Sequence, residues 1–257
     1  MRTIVHLVLL HGPRLARLAA IGLLLLAIAI AVFVRGGAVR HASEARRAAW
    51  AAAHSPASEQ AASRDAWQAA RDRVRRRHAE LVGSDRAAAR RLLDTAIGDE
   101  LAPAWVGTRY SFSGQSRRPF SGSVACGHWI TALLEDAAIP VDPDLGALAS
   151  ARIVRTLAGR DATTWLSDRS PGVLVNQVRS TGDGLYLLGL DTHVGLLRVR
   201  GSDVDFCHAA GSWPRAVLCE PAGSSPSLRS RVHVWGPLLS DRAVDAWLTG
   251  TRLPTAD

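Results

Sequence analysis

The chain of 257 residues contains no lysine: all 31 of its basic residues are arginine. With the abundance of alanine, this reads as a GC-rich coding bias, and no chemistry is assigned to it. Cysteine is scarce, with Cys126, Cys207 and Cys219 the only three. None of them stands in a C-x-x-C spacing, and no H-x-x-x-H occurs. Cys126, His128, His193 and His208 therefore lack the spacing of a zinc site, and neither a metal nor a cofactor is expected. A Gly-rich phosphate loop is also missing; Gly182-Asp183-Gly184 reads as a turn leading into a strand. No internal repeat is visible.

Acidic residues are absent from positions 1–34, which carry three Arg. Residues 35–100 carry 13 Arg against nine acids, and residues 101–257 carry 15 against 14. The net charge of +8 is thus concentrated in the first hundred residues. A nucleic-acid binder carries its basic face on the folded domain. Here that part is nearly neutral, so nucleic acid is not an expected partner. The excess suits a segment beside an anionic membrane or polymer.

What is present begins with "LAAIGLLLLAIAIAVFV", Leu18 to Val34, 17 residues without a charge. A spanning helix needs roughly 20 apolar residues, with ~17 at the short end. Arg14 and Arg17 flank it on one side, Arg35 and Arg40 on the other. No A-x-A site directly follows the apolar core. The expectation is an uncleaved single-pass anchor within residues 1–37, with a cleaved signal segment or a buried core helix as the alternatives. Counting the amino terminus, four positive charges precede the run and four follow it, so the positive-inside rule does not choose an orientation. The catalytic domain is expected on the extracytoplasmic side.

Residues 38–98 are rich in Ala and Arg, and Trp67, Ala70, Val74 and Leu81 keep helical spacing. This reads as a helical stem. Its "RVRRRH" run reads as a solvated helix face beside Asp72 and Glu80. A domain over residues 99–257 follows. It opens with Gly/Ser-rich loops, then a helix carrying Ile130, Leu133, Leu134, Ala137 and Ala138, which Pro140 ends. A second helix is expected over Leu145–Leu157. After Gly182, "GLYLLGL", "HVGLLRV", "VDFCHAA" and "RAVLCEP" are short apolar runs broken by turn residues. "SDRAVDAWLTG" closes as a helix capped by Ser240 or Asp241 and ended by Gly250. The fold class is α+β, with helices packed on one side of an antiparallel sheet.

Cys126 immediately precedes a helix, where unpaired N–H groups and the macrodipole favour a thiolate and lower its pKa. A buried, inert thiol is the alternative. Gly127 leaves room for a substrate, and His128 reads as a wall of the site. A thiol nucleophile needs a base. His193 opens one strand and His208 lies near the end of the next, with "RGS" as the turn. Mirror pairing places 194 opposite 208, so both imidazoles lie at the same end of the hairpin. A second mirror axis near residue 213 pairs Cys207 with Cys219, either as a disulfide or as two reduced core thiols. A disulfide would imply an oxidising compartment. Alternation points Cys207 away from His208.

A Cys opening a helix, then "HVG", then "HA" on the next strand resembles the NlpC-type papain-like cysteine peptidases, which are mostly cell-wall hydrolases. "WVGTRYSFSG" is similar to that family's aromatic–Gly segment upstream of the Cys. The resemblance covers about residues 103–222. Where the family has Asp before the Cys and Ser-Gly after it, this chain has Ala125, Gly127 and His128. The resemblance implies a papain-like domain with Cys126 as nucleophile, His193 as base and His208 as the polar third member. It places Tyr110 near the substrate and makes the Cys126 N–H the oxyanion donor. The function it implies is a membrane-anchored hydrolase of amide bonds in peptidoglycan peptides, acting through an acyl-enzyme. The alternatives are an acyltransferase or amidase on lipid or protein, and an inactive binding module on the same fold.

Overall fold

The computed structural model describes residues 3–81 and 85–254; within the first helix, side chains are described at 20, 21, 23–31, 36, 37 and from 39 onward. Two compact units divide the chain, Met1–His41 and Ala42–Asp257. Helix α1 (Thr3–Ala53) supplies all of the first unit that is described. Its described apolar side chains from Ile21 to Ile30 are exposed, Leu23 the most at 69%. The expected anchor at 18–34 falls partly outside the described side chains. Among the described residues no helix is long and apolar enough to cross a membrane.

The second unit is α+β. Helices α2 (Ala57–Leu81) and α3 (Arg86–Thr95) lead through a wide π turn (Ala96–Leu101) into the short α4 (Ala102–Ala104). A two-strand parallel pair follows, β1 (Arg109–Tyr110) with β2 (Ser123–Val124). Next come α5 (Cys126–Asp136), α6 (Ser150–Ala158), β3 (Thr164–Ser167) and α7 (Pro171–Ser180). Then β4 (Gly184–Gly189), β5 (Val194–Arg200), β6 (Asp203–Ala209), β7 (Val217–Pro221) and β8 (Val232–Pro237) precede α8 (Asp241–Thr249). The six strands form one antiparallel sheet in the order β3-β8-β4-β5-β6-β7.

Both faces of this sheet are covered, which corrects the expectation of helices on one side. Leu185, Leu187, Leu196 and Cys207 share a core with α2, α3, α5, α6 and α8. Tyr186, Leu188, Leu197 and Phe206 share another with Leu174 and Val178 of α7. Alternation along each strand sorts these two sets. The apolar density of "GLYLLGL" follows, because a strand covered on both faces needs no polar side.

The expected stem does not stand apart from the expected domain. Trp67, Ala70 and Val74 of α2 are buried in the same core as Trp129 and Leu133 of α5. Asp136 of α5 accepts a hydrogen bond from Trp67 Nε1 at 2.6 Å and pairs with Arg71 Nε at 2.9 Å. The last turns of α1 also belong to this unit: Ala49 packs with Ala210 and Leu218, and Ala52 closes over Gly107, where a Cβ would stand 2.6 Å from its own.

Candidate active site

Cys126 is the first residue of α5, and the residue before it, Ala125, is extended and makes no side-chain cap. The first-turn N–H groups are therefore open to the Cys126 sulfur. The backbone N–H groups of Val194 at the start of β5, of Gly127 and of Cys126 itself favour the thiolate. Burial nevertheless outweighs these donors and pushes the thiol above its ordinary value. The helix-terminus expectation of a lowered pKa is thus corrected: its local donors are present, but the site is too dry for them to prevail.

A cavity of about 360 Å³ opens beside the sulfur, lined by Tyr110, Phe112, Cys126, Gly127, His128, Ser150, Asp191, His193 and several small apolar residues. Phe112 stands at 88% exposure. Burial and the nearby Cys126 push the Tyr110 hydroxyl up. His128 lines the cavity with its Nδ1 buried and without a hydrogen-bond partner. Asp191 is occupied in holding a loop: it accepts from Ser230 Oγ at 2.7 Å and from Arg231 N–H at 2.9 Å. Gly127 serves packing, not substrate clearance. A Cβ there would stand 2.2 Å from the Gly146 carbonyl oxygen, so a neighbouring loop already fills the space.

His193 precedes β5 and lines the same cavity as Cys126. Its Nε2 lies 2.8 Å from His208 Nδ1. Burial, then the neighbouring His208, lowers the His193 pKa to about 3. The two histidines come together although the hairpin is shifted by one residue from expectation. Leu196 faces Cys207 and Arg200 faces Asp203, because the turn is the two residues Gly201-Ser202 and not three. Gly201 takes φ +57°, which glycine adopts freely. Gly195 leaves space for the Phe206 ring, since a Cβ would approach it to 2.5 Å. Phe206 in turn stacks on His208 at 4.4 Å between centroids.

Cys207 and Cys219 face each other in the β6–β7 register and form a disulfide. Alternation turns His208 to the opposite face, and Glu220 shares that face. Sequence reasoning missed Glu220 and Arg46. Glu220 and His208 are both 0% exposed, and His208 Nε2 lies 3.4 Å from Glu220 Oε1. Arg46 of α1 donates to Glu220 through Nε and Nη2, each at 2.7 Å, and Ser225 Oγ donates at 2.6 Å. Burial pushes the Glu220 carboxyl up, but hydrogen bonds from His208, Arg46 and Ser225 prevail and hold it below the usual range. Burial lowers the His208 pKa against the pull of Glu220. The register made Glu220 readable as a neighbour of His208. No local signal marks Arg46.

Among the described residues, no three His, Cys, Asp or Glu side chains are grouped to hold a metal ion. Comparison with protein-family models, with curated proteins and with solved structures gave no match. The site brings together a free thiol on a helix terminus, an imidazole at the same cavity, and a buried polar chain behind that imidazole.

Proposed function

We propose that this protein is a papain-like, NlpC-type cysteine hydrolase that opens an amide bond through an acyl-enzyme. The observation that carries the reading is the junction at β5. His193, one residue before β5, lines the same cavity as the free Cys126 thiol and is held by His208 at 2.8 Å, and the Val194 N–H at the start of β5 favours the Cys126 thiolate. In the resting site both thiol and imidazole are neutral, so His193 takes the thiol proton as Sγ attacks the carbonyl carbon. The Cys126 N–H receives the developing oxyanion. His193 then gives the proton to the leaving amine, the C–N bond breaks, and the acyl group stays on sulfur. Water, deprotonated by His193, attacks the thioester and releases the acid. His208 holds the His193 ring throughout.

Cell-wall peptides are the proposed substrates, and the proposed place is the extracytoplasmic face of a membrane. The Cys207–Cys219 bridge supports an oxidising compartment, and the apolar run 18–34 supports tethering. The test is hydrolysis of muropeptides by the full chain, by Cys126→Ala and by His193→Ala. Loss of a general base of this kind costs roughly 10²- to 10⁴-fold. Full activity in Cys126→Ala overturns the reading.

One observation favours transfer of a neutral acyl group from lipid or protein as a second reading. Among the described residues, the cavity lining holds no Arg, and its one carboxylate, Asp191, is occupied. A thioester trapped from a lipid acyl donor, with none formed from cell-wall peptides, selects this second reading.

A further inference from the structure

We propose that Glu220 and Arg46 are a positioning pair that fixes the proton order along His208 and His193, so that His193 presents a bare Nδ1 to Cys126. The inference rests on the catalytic reading above and deepens it. Arg46 Nε and Nη2 and Ser225 Oγ donate to the Glu220 carboxylate, and His208 Nε2 lies 3.4 Å from its Oε1. An ionised carboxylate only accepts, so His208 Nε2 carries the hydrogen. A neutral imidazole has one N–H. His208 Nδ1 is therefore an acceptor, and the atom that faces it at 2.8 Å, His193 Nε2, is the donor. That leaves the lone pair of neutral His193 on Nδ1, where it can receive the thiol proton. With the opposite order His193 Nδ1 would carry hydrogen and could not act as base.

Arg46 fixes the carboxylate from a different part of the chain. Besides its two-pronged grip on Glu220, it donates to Ser212 Oγ at 3.3 Å and to the Trp213 carbonyl, both in the turn joining β6 to β7. The one guanidinium thus holds the carboxylate and the connection between the strands that carry His208 and Glu220. A buried ion pair is a weak source of stability compared with apolar side chains of similar volume. Its use here is understood as ordering of the imidazoles.

The test combines a spectroscopic and a kinetic readout. In the full chain with 15N-labelled histidine at pH 7, both His193 and His208 are expected as the Nε2–H tautomer. Either ring found as the Nδ1–H tautomer overturns the proposal. That measurement needs no substrate, so it stands apart from the fate of Cys126→Ala in hydrolysis. The double variant Arg46→Met/Glu220→Leu replaces the pair by apolar side chains, which a buried site often tolerates. It is expected to lose the single His208 tautomer and to lower kcat by roughly 10²-fold or more, with KM little changed. Wild-type kcat in the folded double variant overturns the proposal; if that variant does not fold, the wild-type tautomers still decide.

Discussion

The resting state of the Cys126 thiol is open to direct measurement. A thiolate–imidazolium pair would form in the empty site if helix-terminus donors controlled Cys126. Burial instead holds the thiol above its ordinary 9.0 and drops His193 to about 3. The drop of His193 from 6.5 to about 3 alone corresponds to roughly 5 kcal/mol against protonating its ring, and the raised thiol opposes proton transfer in the same sense. The ion pair is therefore a negligible state of the empty site. With Cys207 and Cys219 bridged, Cys126 is the one free thiol, so iodoacetamide alkylation followed by mass spectrometry reads it alone. The rate is expected to rise about tenfold per pH unit from 5 to 8, with no plateau at low pH, because the reactive thiolate is scarce throughout. Turnover should behave differently. The neutral pair and the ion pair bind the same number of protons, so kcat/KM is expected to stay flat from about pH 4 to above pH 8. A plateau of alkylation below pH 7, or an acid limb of kcat/KM centred near 6.5, would refute the argument that burial sets these two groups.

Three other perturbations have defined outcomes. Burial lifts Asp136 from 3.8 to about 6, so the folded state holds a proton that the unfolded chain releases. The stability this contributes is full below pH 3.8 and is lost as pH rises through 6, a change of about 3 kcal/mol. Asp136→Asn should flatten that part of the profile in urea titrations between pH 4 and 7, and an unchanged slope would sink the assignment. Gly127→Ala forces a Cβ to within 2.2 Å of a backbone oxygen and should destabilise by roughly 3 kcal/mol or more; an unaltered denaturation midpoint contradicts it. A chain beginning at residue 42 keeps Arg46 and should keep its activity, whereas one beginning at residue 57 lacks it and should lose roughly 10²-fold in kcat. Equal activity of the two truncations would argue against any role for α1.

Those outcomes bear on what could be read from residues alone. Period-2 alternation carried the β region well, because a side chain's face depends only on its own strand. It separates Cys207 from His208, and the mirror axis near residue 213 sets Cys219 across from Cys207, as the β6–β7 register does. Turn length was less legible: Arg200-Gly201-Ser202 reads as a three-residue connection, but the left-handed conformation of Gly201 closes it in two and shifts the register by one. Trp67, Ala70 and Val74 identified a helix face without naming its partner. Apolar spacing shows that a face is covered, not by what, and the decisive contacts are polar: Trp67 Nε1 and Arg71 meeting Asp136 69 and 65 positions further on. Gly127 failed for the same reason, since Gly146 reaches it through tertiary packing.

Arg46 marks where such reading stops. It is one of 31 arginines in a chain without lysine, and 174 positions separate it from Glu220. Composition therefore hides it, and no periodicity selects it. Its position follows from the packing of α1, where Ala49 and Ala52 let the helix come close to Ala210, Leu218 and Gly107. The sheet explains how so distant a residue comes within two hydrogen-bonded side chains of His193. Cys207 joins the core beneath α5, whereas His208 and Glu220 face the other way. Only a residue at the end of the sheet can reach both sides. His193, one position before β5, lines the Cys126 cavity and touches His208. A strand begun one residue earlier would commit that side chain to a single face and break the proposed link from the carboxylate to the sulfur.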